Sequence, residues 1–275
     1  MRTLIAAVVF VGLCAPTPAW AQSSLERARA YYNEGRYDES IAAATAASSR
    51  PEAVPSATLI IARSHLGRYR ASGDAKELDA ARAALVTLNP RALVPQEAIE
   101  WQIGAGTALF FENQFGPAAD MFSTVVPVAR ERLNDAEFEK LVEWWGSTQA
   151  RLAETLTGDA RRVAYERLRN DATREVQRNP LSRPATYWMI VGLRGAGNLE
   201  EGWSAAVSGW IRFGGPTGGE KLRADLDRFV VQTLIPERAQ AKTGQRLDTK
   251  TALNEIAVMT EDWRNLTTRW GGKEN

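Results

Sequence analysis

The signals for a tight turn between two helices lie in the stretch AYYNEGRYDESI, residues 30–41. Gly35 can adopt the left-handed backbone conformation that ends a helix, and Tyr37 is large enough to fill the corner of the turn. Asp38 and Glu39 follow at once and favour the start of a second helix, because acidic side chains are stabilised at helix N-termini. This stretch therefore predicts a helical hairpin.

The pattern of this hairpin recurs along the chain. In the first hairpin it comprises Tyr31, Gly35, Tyr37, Ser40, Ala44 and Ala47. It is matched in the same register by Leu109, Asn113, Phe115, Ala118, Phe122 and Val125, and later by Leu193, Gly197, Leu199, Gly202, Ala206 and Gly209. A middle copy, with a turn two residues longer, is predicted at Gly73, Leu78, Ala81, Leu85 and Leu88. The recurrence predicts an array of hairpins rather than one isolated turn.

Helical periodicity extends through nearly all of the remaining sequence, and the alternating β-branched runs typical of strands are missing. A looser pair of helices is predicted near residues 135–157 and 159–178. Two more follow the Gly/Pro cluster at 214–219. One covers about 220–241 with Pro236 as a candidate break, and the other begins at Asp248, a good N-cap. The predicted fold class is therefore all-α.

Over residues 23–212 this pattern resembles the tetratricopeptide repeat (TPR) family, whose repeats are helical hairpins with small and large residues at fixed offsets. Ala28 in place of a glycine and the early Pro51 depart from that family's pattern. The resemblance implies a right-handed superhelix of TPR-like antiparallel hairpins over residues 22–213, a linker at 214–219 and C-terminal capping helices over 220–272. An unrelated all-α bundle is the alternative.

The last predicted helix has its apolar residues at three- and four-residue spacing, which places them on one face. They are Leu253, Ile256, Met259, Trp263, Leu266 and Trp270. A terminal helix of this kind commonly caps a helical array. The alternative is that it docks a partner or forms a homodimer.

Residues 1–21 have the features of a secretory signal. Arg2 supplies the positive start, residues 4–13 form a short apolar run, and Ala19–Ala21 fits a cleavage site. We therefore expect a periplasmic or secreted protein whose mature chain begins at Gln22. Cys14 could instead be the lipid-bearing cysteine of a lipoprotein, but the bulky Leu13 before it argues against that alternative.

Charge and hydropathy exclude some classes of partner. The chain has 34 Lys and Arg against 33 Asp and Glu, and loss of Arg2 with the signal would leave 33 of each. Nucleic acid and anionic lipid both attract a positive excess, so neither is expected as a main partner. No segment reaches the roughly 18 uncharged apolar residues that a membrane span needs.

The sequence contains little that predicts catalysis. His65 is the only histidine, so no pair of histidines can bind a metal, and no G-x-S-x-G turn supplies a nucleophile. The glycines at 214–219 lack a phosphate-binding fingerprint. Glu39–Ser40, the only Glu-Ser pair, could suggest a lytic enzyme of the cell envelope, but the hairpin pattern explains it. We expect no cofactor, no metal and no catalytic residue.

Two further groups of residues are expected to be structural. The arginines between 161 and 178 alternate with acids, which is typical of a solvent-exposed helix face with ion pairs one turn apart. An acidic partner is the alternative for that face. Tryptophans at 144, 145, 188, 203 and 210 are expected in the core, with an exposed hot spot or glycan platform as the alternative.

The TPR resemblance also implies where a partner would bind, because the first helices of TPR hairpins line a concave groove. Carried over to this chain, the groove residues are Arg29, Tyr32, Asn33, Arg63, Arg70, Thr107, Phe110, Phe111, Tyr187 and Arg194. Arginines beside aromatic side chains suit an acidic or extended peptide. The Lys/Asn clamp with which some TPR domains grip chaperone tails is not visible. We therefore expect a non-catalytic adaptor for a protein or peptide, with an envelope glycan enzyme or binder, or a purely structural subunit, as the alternatives.

Overall fold

The computed structural model describes residues 19–214 and 220–271, with side chains from Ser24 onward. Most of the predicted signal segment, including Cys14, and residues 215–219 of the predicted linker lie outside the described residues. The described part of the chain is helical and contains no strand, which confirms the all-α prediction. Its succession of helical hairpins is compatible with a helical-repeat protein. Among the described helices, none combines the length and the apolar character needed to cross a bilayer.

The chain divides into two compact units, Met1–Glu97 and Ala98–Asn275. In the first unit the helices are α1 (Ala19–Asn33), α2 (Tyr37–Ala47), α3 (Val54–Ser72) and α4 (Ala75–Thr87), and α5 (Pro95–Phe111) begins at its end. The second unit continues with α6 (Phe115–Ala129), α7 (Asp135–Glu154), α8 (Gly158–Arg178), α9 (Arg183–Gly195) and α10 (Leu199–Phe213). It ends with α11 (Glu220–Phe229), a π-helical segment Val230–Leu234, α12 (Ile235–Thr243) and α13 (Lys250–Trp270).

Three turns of the array have the same backbone geometry. Their central residues all have positive φ, at +76° for Gly35, +59° for Asn113 and +87° for Gly197. Asn113 is the only non-glycine residue of the described chain in this region, and asparagine is the side chain that tolerates it best. The residues that follow have nearly identical dihedral angles, with φ between −85° and −87° and ψ between 62° and 70°.

The hydrogen bonds of these turns are also the same. In each, the residue after the turn residue donates its N–H to the carbonyl five positions earlier, at 2.9 Å, which is the Schellman pattern. The three bonds are Arg36 to Tyr31, Gln114 to Leu109, and Asn198 to Leu193. The structure therefore confirms that the predicted copies at residues 35, 113 and 197 share one turn.

The positions predicted for helix-helix contact are buried in all three copies. They are Ser40, Ala44, Ala47, Ala118, Phe122, Val125, Gly202, Ala206 and Gly209. Ser40 donates its hydroxyl to the carbonyl of Ala28, 2.8 Å away on the facing helix. This burial explains the small residues, because a larger side chain would separate the two helices of a hairpin.

Glycines within the helices allow aromatic rings to pack directly against the helix backbone. Gly67, Gly106, Gly146 and Gly195 each lie under an aromatic ring, from Tyr37, Phe122, Trp188 and Tyr165 respectively. A Cβ atom at any of them would come within 3.1 Å of the ring, and within 2.1 Å at Gly195. The array is therefore close-packed around rings, with no room for a methyl group beneath them.

The structure corrects three details of the sequence-based predictions. The middle copy has no lengthened turn, because Asp74 accepts a hydrogen bond from the Lys76 N–H at 3.0 Å and α4 begins directly at Ala75. The last helix is capped by Thr249 rather than Asp248. Pro236 does not break its helix. It lies in the first turn of α12, directly after the π-helical segment, where a missing N–H costs no hydrogen bond within that helix.

The C-terminal helices share one core with α9 and α10. Trp263 of α13 is buried, its ring centroid lies 5.6 Å from that of Trp203, and its Nε1 donates to Asp227 at 2.7 Å. Met259 is buried in the same cluster. Leu253 and Trp270 were predicted on this apolar face, but they are 53% and 57% exposed. Leu253 lies off the buried face, and the core ends before Trp270.

Candidate functional site

The predicted groove residues in the first unit lie on α1 and α3. The guanidinium of Arg63 lies 4.4 Å from the centre of the Tyr32 ring, so these two predicted residues are brought together. Arg29 forms an ion pair with the buried carboxylate of Glu97. Asn33 and Arg70 are exposed at the ends of their helices.

The other predicted groove residues lie in the second unit, and most are held by neighbours. Thr107 is buried and donates its hydroxyl to Ile103 at 2.8 Å. The rings of Phe110 and Phe111 both contact Trp144, at 5.3 and 5.7 Å between centroids. The Tyr187 ring is half-buried, and burial raises the pKa of its hydroxyl to about 12. Arg194 is paired with Glu237 (the Nε to Oε2 distance is 2.7 Å).

Comparison of the three equivalent turns shows one that differs. Tyr32 and Tyr37 contact each other in the first, with ring centroids 5.9 Å apart, and Phe110 and Phe115 do so in the second at 5.4 Å. The third turn has Arg194 and Leu199 at these positions. The corner that two rings fill in the earlier copies is therefore built from a leucine and an arginine that extends towards Glu237.

A surface pocket of about 500 Å³ opens beside this third turn, and we call it the third-turn pocket. It is lined by Arg161, Tyr165, Arg194, Gly195, Gly197, Leu199, Glu237, Gln240 and Ala241. A pocket of this size lies within the range of about 300–1,000 Å³ that is common for ligand sites. Of its lining, only Arg194 was predicted as a groove residue, while Arg161 belongs to the arginine-rich face for which an acidic partner was the alternative. Comparing the corner positions of the three copies would have shown that Leu199 replaces an aromatic residue.

The third-turn pocket carries an excess of positive charge. Glu237 is engaged by Arg194, and their hydrogen bond raises the pKa of the Arg194 guanidinium. Arg161 is exposed, with its guanidinium 5.8 Å from the centre of the Tyr165 ring. No carboxylate among the described residues forms an ion pair with Arg161. Arg161 can therefore bind an incoming anion without breaking an ion pair within the chain.

A second pocket of about 510 Å³ adjoins the first and shares Ala241 with it. Its other lining residues are Glu200, Arg238, Lys242 and Met259. Arg238 is paired with Glu200 at 2.6 Å and lowers the pKa of that carboxyl, while Lys242 is paired with Glu255. Both cations of the second pocket are thus already neutralised within the chain.

Residues that could have suggested catalysis have structural partners. His65 Nδ1 lies 2.7 Å from the Glu77 carboxylate, which also pairs with Arg68 at 2.8 Å. Glu39 pairs with Arg36 on the surface, whereas Ser40 is buried. Among the described residues, no group of three or more potential metal ligands is placed to bind an ion.

The two groups expected to be structural behave largely as predicted. On the arginine-rich α8, Arg162 pairs with Glu166 at 2.6 Å and with Asp159 at 3.4 Å, as expected for a solvent-exposed face with ion pairs. The pair of Arg178 with Glu175 differs, because Glu175 is buried. Trp145 and Trp210 are buried, in agreement with core roles. The three other tryptophans singled out in the sequence, at 144, 188 and 203, are partly buried and pack against the core.

Glu139 on α7 is a half-buried carboxyl with an altered pKa. Burial raises the pKa, and the hydrogen bond donated by the Ser182 hydroxyl at 2.9 Å, with attraction to Arg130 and Arg183, only partly opposes this. The folded state therefore binds a proton more readily than the unfolded state. Its stability should fall as the pH rises from the ordinary glutamate pKa through the raised one.

We expect Glu139→Gln to be slightly more stable than the wild type at pH 7 and equal to it at pH 4. The glutamine oxygen can still accept from Ser182 but carries no charge to desolvate. Urea unfolding followed by circular dichroism at both pH values measures this difference, with the exposed Glu131→Gln as a control that should show none. A less stable variant at pH 7 would mean that attraction to Arg130 and Arg183 outweighs burial.

Comparisons with models of protein families, with curated proteins and with solved structures found no match to this chain.

Proposed function

We propose that this chain is a non-catalytic, TPR-like adaptor of the bacterial cell envelope that binds a protein or peptide partner. The observation that carries the proposal is the recurrence of one hairpin turn at Gly35, Asn113 and Gly197, with the same φ region and the same hydrogen bonds. Stacked helical hairpins are a common means of presenting an extended binding surface. Export to the periplasm is part of the proposal and follows from the predicted signal at residues 1–21.

The charged and aromatic side chains of the first unit support a peptide-binding role. Arg63 lies over the Tyr32 ring, and Arg70 is exposed two turns further along the same helix. Arginine binds carboxylates through two parallel hydrogen bonds, and an aromatic ring beside it offers apolar contact area. This combination favours an acidic segment of a partner over a basic ligand. The near balance of 34 Lys and Arg against 33 Asp and Glu disfavours nucleic acid.

Capture of a partner from envelope extract tests the proposal. We expect the immobilised wild-type chain to retain a protein partner that is identified by its mass. Arg63→Glu combined with Arg70→Glu should abolish this capture while the helical circular-dichroism spectrum stays unchanged. The matched control is Lys76→Glu combined with Arg91→Glu, which makes the same change of charge at two other exposed positions of the first unit.

Two results would count against the adaptor. If the Arg63/Arg70 variant captures the partner as well as the wild type does, the partner does not bind at this part of the first unit. Release of soluble fragments from purified cell wall by the chain would favour the glycan-enzyme alternative instead.

A further inference from the structure

We infer that the third-turn pocket binds an aromatic side chain of a partner peptide together with an acidic side chain close to it in sequence. The inference rests on the proposed adaptor function and specifies the partner's chemistry at one site. It concerns the second unit alone, since every residue that lines the pocket belongs to that unit.

The aromatic part of the inference comes from comparison within the chain. The corner residues of the first two turns are Tyr37 and Phe115, and each of them contacts a ring of the preceding helix. Leu199 occupies the same position in the third turn and is too small to replace such a ring. A pocket opens there, lined by Leu199 itself and by Tyr165, which is almost wholly covered by its neighbours. An aromatic side chain from outside would take the place of the missing corner ring and pack against Leu199.

The acidic part of the inference comes from the charges. Arg161 lies at the pocket without a carboxylate partner among the described residues, one turn before Tyr165 on α8. Arg194 is committed to Glu237 by two hydrogen bonds, so Arg161 is the cation that can receive an anion without breaking an internal pair. A carboxylate is the planar anion that a guanidinium binds best in a peptide.

An extended peptide fits the surroundings better than a compact small molecule. The adjoining pocket shares Ala241 with the third-turn pocket, and this exposed residue has only a methyl side chain. A peptide that places its ring in the third-turn pocket can run across Ala241 towards Met259 and the Arg238–Glu200 pair. This geometry suits an extended main chain that directs the side chains of residues i and i+2 into the surface.

Selection from a random heptapeptide library displayed on phage tests the inference with the full chain as the target. We expect the selected peptides to carry Phe, Tyr or Trp within about two residues of Asp or Glu. Synthetic versions of these peptides are then titrated against the wild type and its variants by fluorescence anisotropy. Two altered versions of each peptide, with the aromatic or the acidic residue replaced by alanine, should bind more weakly.

Two variants alter the pocket itself. Leu199→Phe supplies the ring that the other turns carry and should take up the space beside the corner where a ligand ring would bind, while preserving the fold. Arg161→Glu removes the cation. We expect each to weaken binding at least tenfold. The matched controls are Leu181→Phe, at a leucine that is 80% exposed, and Arg167→Glu, on the same helix but outside the pocket, and both should bind as the wild type does.

The outcomes separate this inference from the proposed function. If no selected peptide is sensitive to Leu199→Phe, or if the sensitive peptides lack the aromatic and acidic pair, the inference is overturned. If Leu199→Phe and Arg161→Glu still capture a partner from envelope extract in that case, the adaptor function remains supported although the inference is wrong. If the wild type selects no peptide from the library and captures no partner from envelope extract, both the inference and the adaptor function are contradicted.

Discussion

Gly192→Ala should be among the most damaging single changes in this chain, with an expected loss of about 1–3 kcal/mol or more in the free energy of unfolding. Gly192 lies in α9 where the helix touches the backbone of α8. A Cβ atom at this position would lie 2.6 Å from the backbone nitrogen of Arg169 and 2.8 Å from its Cα. A backbone cannot rotate aside as a side chain does, so the two helices must separate. Urea unfolding followed by circular dichroism measures the loss.

The matched control for this prediction is Gly116→Ala, in the first turn of α6. A Cβ at Gly116 meets no other atom within 4 Å. Because alanine is the better helix former, this variant should be as stable as the wild type or more stable by up to about 1 kcal/mol. Equal stability of Gly192→Ala and the wild type would show that α8 and α9 are not held as closely as the structure has them.

Trp263→Ala should destabilise the second unit by about 3–5 kcal/mol, the usual cost of removing a large buried aromatic side chain. Trp263 is 2% exposed and packs against the rings of Trp203 and Trp210, with centroid distances of 5.6 and 6.2 Å. Its loss would leave a cavity between α10 and α13 and would remove the hydrogen bond to Asp227. Near-ultraviolet circular dichroism and urea unfolding report the two effects.

Two variants show which part of the Trp263 side chain matters. Trp263→Phe keeps a ring but leaves Asp227 without its donor, so we expect a smaller loss of roughly 1–3 kcal/mol. Trp270→Ala, on the same helix but 57% exposed, should change stability by less than about 0.5 kcal/mol. A large effect at Trp270 with a small one at Trp263 would mean that α13 packs through its C-terminal end rather than through its middle.

The hairpin turns could be predicted from sequence because their causes are local. A left-handed residue, a corner residue and a small residue three positions later define each turn, and all three lie within a few residues of one another. The exchange of Gly35 for Asn113 does not hide the pattern, since both residues tolerate positive φ. The middle copy was predicted less well, because the cap formed by Asp74 depends on side-chain geometry that periodicity does not show.

The candidate site was mostly beyond prediction because its residues come from distant parts of the chain. Arg161 and Tyr165 lie on α8, Arg194 ends α9, and Glu237 lies on α12. Helical periodicity indicates which face of each helix is apolar, but it does not identify the cation that is neutralised by a distant carboxylate. Arg194 was predicted as a ligand residue from its place in the repeat, whereas the structure pairs it with Glu237 and leaves Arg161 available.

The sequence by itself determined the helices, the three matching turns and the buried small residues, since these depend on backbone preferences and spacing over a few residues. Only the tertiary structure decided which rings lie over which glycines, how α13 packs through Trp263 but not Leu253, and where a pocket remains. Those features depend on the volumes and charges of side chains brought together across the fold. Leu199 illustrates the difference. In the sequence it is one more apolar corner residue, and only the structure shows the pocket beside it.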